Sequence, residues 1–156
     1  MTARTVFVPG LPITQGNHRA NRLGHVYETT KGHKQWRERL HWAVISAGWH
    51  RQPILMGPVA LRLDFAMPRP GSHFRDDGTL RPRVPYWHDK QPGDLDKLCR
   101  AVGDSLAGAG CIRNDSQIAT LFASKTYSLT SGVTIHLEPI ESPPEPSLAA
   151  IDGGAA

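Results

Sequence analysis

Val59, Leu61, Leu63 and Phe65 alternate with Ala60, Arg62 and Asp64, the two-residue period of a half-buried strand. Val133, Ile135 and Leu137 repeat that period after a turn at Thr130-Ser131-Gly132. Shorter strands are expected over residues 5–12, closed by Pro and Gly, and over about 118–127. Two other stretches carry the helical period instead. Trp36, Leu40, Ala43, Val44 and Ala47 form one stripe, with Thr29 or Thr30 as candidate cap and Gly48 as stop. Leu95, Leu98, Val102, Leu106 and Ala109 form a second, on a helix from about Asp96 to Ala107 ended by Gly108 and Gly110.

Two segments have no period. Residues 13–29 are polar and turn-rich and read as a basic loop, with Asn17, Arg19 and Arg22 as candidate nucleic-acid contacts. Residues 68–93 hold five prolines and five basic residues, Lys90 among them, with Phe74, Tyr86 and Trp87 interspersed. A stretch this long without regular structure is either a functional loop or a disordered one. From Glu141 the chain is rich in Pro, Ala and Gly and is expected to be disordered. The organisation is therefore one domain over 1–140 and a tail over 141–156.

With 156 residues and 39% hydrophobic content, the chain suits one modest core. No apolar run approaches bilayer length, and the N-terminus lacks the apolar stretch of a secretion signal. Cys99 and Cys111 are too few for a disulfide framework and read as small buried or half-buried thiols in a reducing cytoplasm. Charge is unevenly divided. Residues 1–90 carry fourteen Lys and Arg against six Asp and Glu; residues 91–156 carry four against eight. A basic first part favours a polyanionic partner, nucleic acid above all.

The acids of the second part are spaced for chemistry. Asp94 and Asp96 follow Pro92-Gly93 and precede the second helix. In extended chain, residues two apart share one side, so both carboxylates can converge where the helix begins. The plainer alternative is that Asp96 caps the helix and Asp94 is a solvated neighbour. Asp115 lies beyond the helix, where the chain turns back, and the run 111–117 is long enough to return it to the first two. Three carboxylates that meet call for a divalent cation, and an oxygen-rich site suits Mg²⁺ or Mn²⁺. On a basic protein such a cation would serve phosphodiester hydrolysis. Arg100, one turn beyond Asp96, could steady the developing charge.

The run GDLDKLCRAVGDSLAGAGCIRNDSQI (93–118) resembles the RusA-type Holliday junction resolvases common in phages and prophages. Their motif is Asp-x-Asp, an Asn-Leu pair and a Lys one turn on. An Ala/Leu-rich helix with an internal Asp follows, then a Gly, and then an Asp-Asp or Asn-Asp pair with Ser or Ala, Gln and Ile or Val. Asp94, Asp96, Asp104, Gly110, Asp115, Gln117 and Ile118 fall in those places without a gap. The likeness extends loosely over 5–138. It implies an α+β fold, a small mixed sheet of about four strands with two main helices packed on one side, working as a homodimer. It also implies Mg²⁺-dependent nicking of branched DNA, with Asp94, Asp96 and Asp115 on the metal. The family's catalytic Lys is Arg100 here, and Lys97 stands in the usual Asn place. Arg keeps the charge but not the compact ammonium, so a catalytically impaired junction-binding protein is the alternative.

The remaining residues have plainer readings. Lys97 and Lys125 are candidate DNA contacts. His88 reads as a surface loop residue, His136 as solvent-facing, Asp104 as a solvated charge, and the four Trp as core and loop anchors.

Overall fold

The computed structural model describes residues 3–14, 18–20, 26–28, 32–91 and 93–141, with backbone alone for the two three-residue stretches. In chain order these form β1 (Arg4–Pro9), β2 (His18–Ala20), β3 (Val26–Glu28), α1 (His33–Ser46), β4 (Val59–Pro68), α2 (Leu95–Gly108), β5 (Ile118–Ser128) and β6 (Gly132–Pro139). The main sheet has the order β1-β6-β4-β5. β6 is antiparallel to both β1 and β4, whereas β4 and β5 run parallel. A parallel pair needs a crossover, and α2 lies within the one that joins them.

The alternation in β4 and β6 decides which face is covered. Val59, Leu61, Leu63, Phe65, Val133, Ile135 and Leu137 are all buried. They form one core with Trp36, Leu40 and Val44 of α1 and Leu98, Val102 and Leu106 of α2. Burying each such side chain contributes about 1.5–3 kcal/mol. The opposite face carries Arg62, Asp64 and His136, linked by an Arg62–Asp64 pair at 3.0 Å and a Thr5–His136 hydrogen bond at 2.9 Å. Both helices thus lie on one side of a four-stranded mixed sheet, the α+β arrangement expected. At Gly132 a side chain would collide with the Val8 carbonyl and the Phe7 ring, so only glycine lets β1 and β6 close this tightly.

Helix ends follow local chemistry. Gly32, in the left-handed region at φ 83°, opens α1; the candidate caps Thr29 and Thr30 lie outside the described residues. At the other end Gly48, also left-handed, donates to the Ile45 carbonyl and stops the helix as the sequence indicates. Both cysteines are free and buried, and burial pushes each thiol up to about 11. Among the described residues no helix is long and apolar enough to cross a membrane.

Three readings change. The segment 13–29 is not loop throughout: β2 and β3 pair antiparallel as a short ribbon. Three-residue strands are too brief to show a period. Residues 69–91 form an ordered strap. Arg69 donates to the Pro85 carbonyl at 3.0 Å and lies over the Tyr127 ring. Tyr127 N–H donates to the Tyr86 carbonyl at 2.8 Å, and His88 N–H to the Lys125 carbonyl at 3.2 Å, so the strap lines the outer edge of β5. Backbone bonds of this kind leave no side-chain signature. Finally, only Trp36 and Trp49 are core; Trp42 and Trp87 are each 63% exposed. The tail beyond residue 141 lies outside the described residues.

Candidate active site

Helix α2 begins at an unusual backbone position. Gly93 has φ 151°, which L side chains rarely adopt. A methyl there would stand 3.3 Å from His88 Cε1 and 3.6 Å from Lys125 Nζ, so strap, helix and strand β5 meet at this glycine. The Lys125 ammonium donates to the Gly93 carbonyl and is half-buried there.

Asp94 is the N-cap of α2, but its carboxylate does not cap the helix amides. Oδ1 accepts from Gln91 Nε2 at 2.8 Å, and Oδ2 pairs with Lys97 Nζ at 3.0 Å. The Gln91 hydrogen bond first, then the Lys97 hydrogen bond and charge, hold the Asp94 carboxyl below its ordinary range. A depressed carboxyl contributes stability above its unfolded pKa, and that contribution is lost as pH falls through the folded value. Gln91→Leu removes the leading donor. Its expected result is an Asp94 pKa moved back up toward the ordinary value, read by carboxyl-carbon NMR titration; an unmoved Asp94 would contradict the assignment.

Asp96, rather than capping, sits exposed in the first turn of α2. Arg100 and Gly103 follow it at four and seven residues, one above the other on the same side of the helix. Neither Asp96 nor Arg100 has a side-chain hydrogen bond or ion pair among the described residues, and both are exposed.

Asp115 is brought back by a pinned turn. Asn114 Oδ1 accepts from Ser116 N–H at 2.9 Å, and Gln117 Oε1 accepts from Arg113 N–H at 2.6 Å. The other end of Gln117 donates to the Leu55 and Gly57 carbonyls at 2.9 and 2.8 Å. This turn leans on α2 where there is no side chain: a methyl on Gly103 would lie 3.7 Å from Asp115 Cβ. Asp115 therefore returns to the side of α2 that carries Asp96 and Arg100. Gly103 stands seven residues beyond Asp96, about 10 Å along the axis. The acids line one side of the helix rather than surround a point. Among the described residues no three His, Cys, Asp or Glu side chains gather closely enough to hold one metal ion.

The cations expected on DNA are distributed differently. Lys97 is engaged by Asp94, and Lys125 by the Gly93 carbonyl. Lys90 is exposed and 3.6 Å from Asp89. Asn17 and Arg22 lie outside the described residues, and only the backbone of Arg19, in β2, is described. Asp104 is half-buried and lines a groove of about 600 Å³ between α1 and α2 with Arg37, His41 and Trp42.

Two contributors were not legible in the sequence. His88 is no free surface residue: its ring lies against Tyr127 with centroids 4.8 Å apart, and burial, aided by Lys125, keeps its pKa below the ordinary value. Its place six residues before Asp94 was the only signal. Gln91, the donor to Asp94, carried none. Among the described residues Asp96, Asp115 and Arg100 are thus unpaired groups on one helix side, beside an Asp94 that already draws a cation. Such an array can take up a phosphate backbone and a hard cation together.

The family model of endodeoxyribonuclease RusA matches residues 9–138, which include every acid and cation of this site. Among curated proteins none matches the chain.

Proposed function

The chain belongs to the RusA endodeoxyribonuclease family, and from that premise we propose that it nicks four-way DNA junctions by Mg²⁺-dependent phosphodiester hydrolysis. It works in the cytoplasm, in recombination and repair, as a homodimer. The observation that carries this reading is the return of Asp115 to the side of α2 that bears Asp96 and Arg100. The turn is pinned by Asn114 and Gln117 and by Ile118 packed against the core, and it presents the Asp115 side chain exposed beside α2.

Asp94 and Asp96 at the start of α2 would hold the cation, Mg²⁺ or Mn²⁺, with oxygen donors, and Asp115, which lies further along the same side of the helix and outside one ion's reach in this structure, would have to be drawn in to join them. The Lys97 ammonium on Asp94 supports the fit, since it shows that this carboxylate takes a cationic partner. When bound, the metal supplies an activated water and positive charge against the phosphate. The chain's own groups do the rest. Arg100 faces the phosphate and stabilises charge as it develops. Lys97, exchanged from Asp94, turns to the DNA backbone, where Asn17, Arg19, Arg22 and Lys90 add contacts. Lys125 keeps the Gly93 carbonyl fixed and so positions Asp94.

A homodimer supplies two active sites for the two cuts a junction needs. β5 supports it: it is an edge strand, its far end is lined by the strap, and Leu121 and Phe122 before that point are exposed. Exposed apolar edges invite pairing.

A catalytically impaired junction-binding protein is the second reading, favoured by Arg100 in the place of the family's Lys. One assay separates them. A labelled mobile four-way junction is incubated with and without Mg²⁺. Paired, symmetric nicks only with metal are expected; tight binding without nicks in Mg²⁺ or Mn²⁺ would establish the second reading.

A further inference from the structure

Near its end the strap carries two adjacent aromatic residues that the core does not use. Tyr86 and Trp87 are 61% and 63% exposed, and their rings meet edge to face with centroids 5.1 Å apart. Two large aromatic rings left in water forgo the burial that usually places them. Neither sits on a free loop. The Tyr86 carbonyl accepts from Tyr127 N–H at 2.8 Å, and Trp87 forms an antiparallel bridge with Thr126. The next residue, His88, is bonded through its N–H to the Lys125 carbonyl and packs against Gly93, the residue before Asp94. The pair is therefore presented on a fixed backbone, joined to the acid site through one histidine and one glycine.

Charge around the pair points to a polyanion. Arg83 reaches the surface through a left-handed turn at φ 62°, three residues before Tyr86, and Lys90 follows three residues after Trp87. Both side chains are exposed, and Lys90 stands 3.6 Å from the equally exposed Asp89, a contact that water and a phosphate can replace. A cation on each flank of exposed aromatic rings is the pattern that takes nucleic acid: phosphates on the charges, base faces on the rings. A continuous duplex keeps its base faces stacked inside. A branch point exposes them, so only branched or locally opened DNA can use the rings.

We propose that Tyr86 and Trp87 form a stacking platform for bases exposed at the branch point, which sets preference for branched over linear DNA beside the active site. The proposal rests on the reading of the chain as a junction nuclease. Stacking on a ring is tolerant of base identity, so the platform reads structure rather than sequence.

The test uses the full chain without divalent metal, so that nothing is cut. A four-way junction carries 2-aminopurine at the branch, and a linear duplex of matching sequence serves as control. Trp87→Ala is expected to weaken junction binding about tenfold and to abolish the change in 2-aminopurine fluorescence, with duplex affinity changed less than about twofold. Trp87→Phe keeps most of both signals. Because Trp87 is exposed, the variant should melt as the parent does, and circular dichroism checks that. Equal loss on junction and duplex would overturn the proposal, as would unchanged junction binding. A variant that changes only the mass of the oligomer would assign the rings to a second copy of the chain and likewise overturn it. If the parent chain cuts nothing but loses junction preference on Trp87→Ala, the cleavage reading fails and the platform stands.

Discussion

Asp94→Asn and Asp115→Asn are each expected to lower junction nicking by more than about a thousandfold while junction affinity stays equal or rises. Asn keeps the shape of Asp and removes one anionic donor. Two carboxylates and several waters hold Mg²⁺ weakly, so the loss falls on chemistry. Affinity moves the other way because DNA is itself an anion. At Asp94 the effect is specific: the carboxylate engages Lys97 at 3.0 Å, and Asp94→Asn frees that ammonium for a phosphate. One added phosphate contact steepens the salt dependence of binding by about one in log–log slope. Asp115 has no such partner among the described residues, so Asp115→Asn should leave the slope close to that of the parent. Cleavage is read by product formation with Mg²⁺, and binding by gel shift without metal across a salt series. Nicking preserved in either variant, or binding lost in both, would refute the assignment.

Arg100→Ala is expected to slow cleavage about a hundredfold with little change in junction affinity. Arg100 is exposed and unpaired among the described residues, one turn above Asp96, so its removal leaves no buried charge and no broken network. The informative partner is Arg100→Lys. A compact ammonium, the group the family uses there, should cut at least as fast as the parent chain. Single-turnover rates on a saturating concentration of enzyme separate chemistry from binding. Should Arg100→Ala cut at the parental rate, the cationic role passes to Lys97 or Lys125, both already held within the acid site. Lys125→Met then becomes the decisive variant. It would free the Gly93 carbonyl and loosen the start of α2.

The two-residue and helical periods of the chain foretold each main element to within a few residues. Val59, Leu61, Leu63 and Phe65 face inward together because alternate side chains of a strand share a face whatever else the chain does. Gly48 stops α1 for an equally local reason. The spacing of Asp94, Asp96 and Asp115 and the Gly-rich end of α2 singled out the residues from which the proposed site is built. Other features had no local origin. Lys97 on Asp94 is a choice among several partners, and the sequence offered DNA as readily. His88 read as a surface loop residue because burial by Tyr127 depends on a strand thirty-nine positions later.

The amino-acid order by itself determined which main segments are strand and helix, which faces are apolar, and that acidic residues precede, occupy and follow one helix of a basic protein. Periodicity and spacing carry that information because they act between neighbours along the chain. Only the tertiary structure decided that Asp115 leans on Gly103, that Lys125 reaches Gly93 across 32 residues, and that the strap is bound to the edge of β5 with two aromatic rings outward. Those contacts join residues distant in sequence through single hydrogen bonds and close approaches. Which of many possible partners each group takes is settled only when the core has fixed the elements in space.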